Sequence, residues 1–144
     1  MRLAPIPLLA TALVLGPALA AGLNLREGMW EITTKMEMTG KSGGAIPQQT
    51  VQHCLTKKDV EDPHRTTPSA GDRGSRCKMT DYKLQGNTAT WKMACEGKGA
   101  MTGAGTITYS GDSYTGSQTM AMTGGGQAMN MNYSGRRVGD CPRK

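Results

Sequence analysis

The stretch that decides the fold is residues 100–137, AMTGAGTITYSGDSYTGSQTMAMTGGGQAMNMNYSGRR. Threonine-rich runs are separated here by two turn signals, Ser110-Gly111-Asp112 and Gly124-Gly125-Gly126. Such runs are typical of half-buried strands joined by tight connections. The connections are too short for a crossover, so we expect an antiparallel meander and not a parallel sheet.

The same alternation extends toward the N-terminus, where Trp30, Ile32, Met36 and Met38 share one parity. Spacing typical of a capping box, Thr56 to Asp59, predicts one short helix near residues 57–62, and the polar residues 64–75 predict an exposed loop. The predicted fold is all-β: an antiparallel meander curved into an open or partial barrel, with one short helix. The predicted strands are residues 28–38, 47–54, 76–84, 88–96, 100–109, 113–122 and 128–137.

The composition narrows the class of protein. The 144 residues include 20 Gly and 11 Met but no Phe, and only 19% are charged. These proportions exclude a helical bundle, a coiled coil and a mature protein that spans a membrane. The net charge of +6 includes a basic C-terminal end that favours solubility or contact with an anionic envelope surface. We expect no nucleic-acid partner.

The N-terminus carries the pattern of a secretory signal. Arg2 precedes an apolar run, Pro17 follows it, and residues 18–20 fit the small-x-small cleavage rule. The run is short for a membrane anchor, so we expect no stable membrane insertion after cleavage. The expected mature chain is one domain over residues 21–144, in the periplasm or secreted.

In an oxidising compartment outside the cytoplasm, the four cysteines are expected to form two disulfides. A metal site would need a close pair such as C-x-x-C, and the sequence has none. A turn at Gly86-Asn87 places Cys77 opposite position 96, next to Cys95. The favoured pairing is therefore Cys77–Cys95, which leaves Cys54 for Cys141. The two other connectivities remain open at this stage.

Turn positions also set two registers. Placing Tyr109 opposite Tyr114 puts Met101 opposite Met122, and placing Met122 opposite Met129 puts Met120 opposite Met131. Because strand side chains alternate between faces, both registers place five methionines on a single face. These are Met101, Met120, Met122, Met129 and Met131.

Three interpretations of this face stay open. Methionine fills irregular cores, and it suits hydrophobic sites that repack around different ligands. With Trp30, the face is then a candidate site for a hydrophobic small molecule or lipid. Thioether sulfur also selects Cu(I), and Met36-x-Met38 is one of three Met-x-Met pairs.

Catalytic signals are few. The only histidines are His53 and His64, both in polar stretches, and no nucleophile or zinc motif is present. We therefore expect a protein without enzymatic activity, cofactor or resident metal. The preferred function is binding of an apolar or amphipathic ligand; a structural envelope protein and a Cu(I)-binding protein are the alternatives.

Gly28-x-Trp30 on the first strand resembles the G-x-W signature of lipocalin-type barrels. In those barrels the Trp closes the barrel floor and an Arg from the last strand lies over it. The resemblance implies that role for Arg136 or Arg137 here, through a cation–π contact.

The wider pattern resembles the secreted bacterial family known as domain of unknown function 3617. Its marks here are Gly28-x-Trp30, Cys54-Leu55-Thr56, Cys77, Trp91 with Cys95, and Val138-Gly139-Asp140-Cys141. This resemblance covers essentially the whole mature chain. It implies export and a single β domain. The family has no established activity, so the resemblance implies nothing about the reaction or ligand.

Overall fold

The computed structural model describes residues 23–40, 43–66 and 76–143; the expected signal segment, residues 1–20, lies outside them. The described strands are β1 Gly28–Thr39, β2 Gly44–Leu55, β3 Cys77–Gln85, β4 Thr88–Cys95, β5 Met101–Tyr109, β6 Ser113–Met122 and β7 Ala128–Gly139. All pairings are antiparallel and form one open sheet in the order β2-β1-β7-β6-β5-β4-β3. The predicted all-β fold, open and not a closed barrel, is confirmed.

The core lies on one face of this sheet, which we call the inner face. Ladder partners connect Trp91, Gly105 and Gln118 on three adjacent strands, and the buried side chains follow the same parity. A flat single sheet leaves both faces in water, so side chains as buried as Trp30 and Ile107, both 0% exposed, require a curved and covered sheet. The buried inner-face residues are Trp30, Leu55, Ala89, Trp91, Met93, Ile107, Tyr109, Tyr114, Gln118, Met120 and Tyr133.

Glycines on the inner face let large side chains cross to the neighbouring strand. A Cβ added at Gly105 would overlap the indole of Trp91, and one added at Gly135 would overlap the phenol ring of Tyr114. Aromatic side chains placed over glycine are a known way to pin the register of a curved sheet. The remaining inner-face pairs of this kind are Tyr133 over Gly116 and Met120 over Gly103.

The N-terminal segment, residues 23–27, covers one end of the inner face. Leu23 and Leu25 are buried, and Leu25 forms a parallel bridge with Gly111. Arg26 forms an ion pair with Asp112 at 2.8 Å. This segment packs over the end of the sheet at which β1 begins.

One predicted register is confirmed and one is wrong. Tyr109 faces Tyr114 and Met101 faces Met122, as predicted. In the next hairpin, however, Met120 faces Met129, a shift of two residues from the prediction. Gly124, Gly125 and Gly126 all have positive φ and form a tight loop, so the Met122 N–H bonds to the Gln127 carbonyl at 3.1 Å. A shift of two keeps every side chain on its face.

The cysteines pair as the sequence favoured. Cys77 lies directly opposite Cys95, one position from the predicted partner, because a β-bulge between Thr80 and Lys83 shifts the register. Asp81 in that bulge has a φ of +52°. The second disulfide joins Cys54 on β2 to Cys141 in the C-terminal tail.

The expected helix, α1 Lys57–Glu61, follows β2 directly. Thr56 and Asp59 form its capping box, in which the Thr56 N–H donates to Asp59 Oδ2 at 2.9 Å. A second helical turn, α2 Pro63–Thr66, occupies the start of the segment predicted as a loop. The rest of that segment, residues 67–75, lies outside the described residues. We call residues 56–66 the helical segment.

Replacement of Gly135 by Ala tests the packing of the Tyr114 ring over this glycine. The added Cβ would overlap Tyr114, so we expect a loss of about 1–3 kcal/mol in unfolding free energy. Gly44→Ala is the control, since its added Cβ meets nothing within 4 Å. Urea unfolding of both variants measures the difference. Equal midpoints would contradict the proposed packing.

The two disulfides should contribute unequally. Their sequence separations are 87 for Cys54–Cys141 and 18 for Cys77–Cys95. The chain-entropy model gives about 4.6 and about 3.2 kcal/mol for loops of these lengths. We therefore expect the Cys54→Ala/Cys141→Ala double variant to unfold at lower urea than Cys77→Ala/Cys95→Ala. The reverse order would show that native packing at β3–β4 outweighs loop length.

Candidate functional site

Methionines form a row across the inner face. Successive ladder partners link Met38 on β1, Met129 on β7 and Met120 on β6. Across Gly103 on β5 the row continues to Met93 on β4 and ends on β3. We call this set the methionine row: Met38, Met129, Met120, Met93 and Met79.

A small cavity opens beside the methionine row, at the end of the sheet opposite the N-terminal segment. Its volume is about 190 Å³. Met38 and Met122 are each 38% exposed at this cavity, whereas Met120 is 2% exposed. The side chains that line the cavity therefore range from partly exposed to fully buried. We call this the methionine cavity; its lining is Met38, Met101, Met120, Met122, Gln127, Ala128 and Met129.

The structure places four of the five predicted methionines at this cavity: Met101, Met120, Met122 and Met129. Met131 lies two residues farther along β7 on the same face and lines a different cavity. Trp30, the sixth candidate, is fully buried and stacks on Tyr114 with ring centroids 5.5 Å apart. Its indole N–H donates to the Arg26 carbonyl at 3.0 Å.

The arginines expected near Trp30 make other contacts. Arg137 is the ladder partner of Trp30, but its Nε donates to the Glu27 carbonyl at 2.7 Å, and its Nη2 pairs with Asp140. Arg136 pairs with Glu31 at 2.8 Å. The sheet is open, so Trp30 does not close a barrel floor; it belongs to the packed core.

A larger cavity, of about 250 Å³, lies between the inner face and the helical segment. The sheet supplies apolar and aromatic side chains to it, including Tyr114 and Tyr133. The opposite side is polar and carries Asp59, Arg65 and Thr66. We call this the helix cavity; its full lining is Ile32, Thr34, His53, Leu55, Asp59, Arg65, Thr66, Tyr114, Met131 and Tyr133.

Asp59 is the best-connected charged group at the helix cavity. Its Oδ2 accepts from the Thr56 hydroxyl at 2.6 Å as well as from the Thr56 N–H, and its Oδ1 accepts from Arg65 Nη1 at 3.1 Å. The hydrogen bonds from Thr56, and then the positive charge of Arg65, lower the pKa of Asp59. The carboxylate therefore stays ionised and holds both the helix start and Arg65.

The tyrosines in the helix cavity are held neutral. Burial, with Tyr109 as the second cause, raises the pKa of Tyr114 to about 12. Burial also raises the pKa of Tyr133, whose hydroxyl donates to the Thr106 carbonyl at 3.0 Å. Both phenols supply packing, and that of Tyr133 also supplies a fixed hydrogen bond.

Among residues 23–40, 43–66 and 76–143, no three His, Cys, Asp or Glu side chains are grouped so as to hold a metal ion. Neither described helix is long and apolar enough to cross a membrane. Among several cavities of the described residues, the methionine cavity and the helix cavity are the candidate sites, because their linings contain the five predicted methionines.

Residues 25–141 match the family described as protein of unknown function (DUF3617). The match covers most of the chain. The protein belongs to the DUF3617 family. No curated protein and no solved structure matches it.

The sequence pattern missed the polar side of the helix cavity. In this DUF3617 protein, Arg65 and Thr66 come from α2, within the segment predicted as a loop, and the sequence identified Asp59 only as a capping residue. One signal was available for His53. It shares strand parity with Leu55, which is buried on the inner face, so alternation places His53 on that face too.

Paired alanine substitutions distinguish core from cavity wall. Met120→Ala removes a buried side chain and should cost about 2–5 kcal/mol of unfolding free energy. Met122→Ala removes a side chain that is 38% exposed, and we expect about 1 kcal/mol or less. Denaturant unfolding measures both. Equal losses would contradict the graded burial of the methionine cavity.

Proposed function

We propose that this protein is an exported, non-enzymatic binding protein for an apolar or amphipathic ligand that lies against the inner face. The observation that carries the proposal is the wall of adaptable methionines around a partly open cavity, beside a rigid aromatic core. Unbranched thioether side chains repack around different shapes at little cost. Two disulfides support the assignment to an oxidising compartment, the periplasm or the exterior.

The division of the inner face supports this function over pure core packing. Trp91, Ile107 and Tyr109 are at most 2% exposed, so the core around these three side chains is filled. At the other end, Met38 and Met122 keep more than a third of their surface in water. Exposed apolar side chains around a concavity mark a ligand site more often than isolated exposed ones do.

A second candidate function is binding of Cu(I). Five thioether side chains line one cavity of about 190 Å³. Cross-strand partners bring Met38, Met129 and Met120 onto three adjacent strands, with Cβ atoms roughly 5 Å apart. Soft sulfur ligands prefer Cu(I) over harder ions.

Two substitutions at Met122 distinguish these functions. Met122→Leu keeps the apolar surface and removes the sulfur, so it should retain alkyl-chain binding and weaken Cu(I) binding. Met122→Gln should weaken alkyl-chain binding by roughly three- to ten-fold, because about 1 kcal/mol of apolar contact is lost. The assays are displacement of a neutral fluorescent alkyl probe by hexadecanol and anaerobic titration with Cu(I).

Val138→Gln is the matched control, since Val138 is 42% exposed and lies at the opposite end of β7. It should change neither measurement. If wild-type protein binds neither hexadecanol nor Cu(I), a structural role in the cell envelope is favoured and both binding functions are wrong. If Met122→Gln and Val138→Gln bind the probe equally well, the ligand does not contact the methionine cavity.

A further inference from the structure

The helix cavity has one apolar side and one charged side. Ile32, Tyr114 and Tyr133 project from the sheet, while Asp59 and Arg65 belong to the helical segment. Such a boundary between apolar and charged walls matches a ligand with a polar end. The lining of the methionine cavity contains no charged side chain that could pair with a charged head group.

Arg65 is the group at this rim with donors to spare. Its side chain is 54% exposed, and its contact with Asp59 uses Nη1. A guanidinium has five N–H donors in a planar fork and binds carboxylate or phosphate bidentately. Asp59, in contrast, already accepts from Thr56 and Arg65 on its two oxygens. Asp59 therefore orients the Arg65 guanidinium, and the remaining N–H donors of Arg65 can bind an anionic group.

The inner face offers a path for an apolar chain away from this rim. Tyr133 and Met131 line the helix cavity, and Met129 lines the methionine cavity on the same strand. Tyr133 and Met129 are four positions apart on β7, a distance of about 13 Å along the strand. Met131 lies between them and is only half-buried.

From these contacts we infer that the ligand is a single-chain amphiphile with an anionic head group. Arg65 binds the head, His53 lies at the same rim, and the chain lies along β7 toward the methionine cavity. This inference rests on the proposed function and adds the chemistry of the head group and its place of binding.

Ligands with the same chain and different head groups test the inference. Hexadecanoate, hexadecyl phosphate, hexadecanol and hexadecylammonium compete for a neutral fluorescent alkyl probe on the purified full-length mature protein. We expect both anions to bind at least about ten-fold more tightly than hexadecanol, because a charge-assisted hydrogen bond usually contributes this much to affinity. Acetate and inorganic phosphate should not displace the probe, because they lack the chain.

Arg65→Gln should reduce the advantage of the anions over the alcohol to about two-fold or less, with hexadecanol binding by the same variant as the reference. Arg65→Lys keeps the charge without the fork and should retain part of the advantage. Arg136→Gln is the matched control, because Arg136 is also exposed and paired with a carboxylate, that of Glu31. It should leave the whole series unchanged.

The outcomes separate the two proposals. Equal affinity of wild-type protein for hexadecanoate and hexadecanol would overturn the anionic head group and leave the proposed function in place. If Arg65→Gln and Arg136→Gln weaken binding of the anions equally, the anionic head group is likewise overturned and the proposed function stays in place. Binding of free phosphate as tight as that of hexadecyl phosphate would replace the amphiphile by a simple anion. If none of the four alkyl ligands binds to the wild-type protein, the proposed function itself is wrong.

Discussion

A large side chain laid across a glycine of the neighbouring strand is the contact on which the rest of this structure depends. A single sheet has no second layer to bury its apolar face, so the face must cover itself. Where one strand carries glycine, the partner strand's ring crosses it and reaches the next strand. Four of the 20 glycines lie under such a side chain. The pairs are Trp91–Gly105, Tyr133–Gly116, Tyr114–Gly135 and Met120–Gly103.

The same contacts divide the inner face along the strands. Rings that cross glycines pack toward the end at which β1 begins, where the N-terminal segment also buries Leu23 and Leu25. Toward the other end the covering side chain is Met120, which is flexible where a ring is rigid. The rigid end fixes the curvature of the sheet, and the flexible end leaves a surface that can adapt. Met120 belongs to both parts, since it is buried in the core and also lines the methionine cavity.

Side-chain parity is the part of this structure that the sequence predicts well. Alternation placed five methionines on one face even though the β6–β7 register was two residues in error, because an even shift preserves the face. The bulge at Asp81 and the second helical turn were not predictable in this way. The helix cavity combines His53 from β2, Arg65 from α2 and Tyr114 from β6, and no local period encodes a site built from such distant segments.

The opening in the sheet is what creates the helix cavity. Pairing of β2 with β3 would complete a barrel, but Pro47 on β2 and the bulge on β3 are features that block edge pairing. The chain instead leaves β2 at Leu55, and the helical segment crosses the inner face until the Thr66 hydroxyl lies 3.3 Å from that of Tyr109 on β5. A closed barrel would have filled this space with strand side chains. Because helical turns fill it less completely, polar side chains from outside the sheet face the aromatic side chains of the inner face, and the proposed binding of an amphiphile rests on this arrangement.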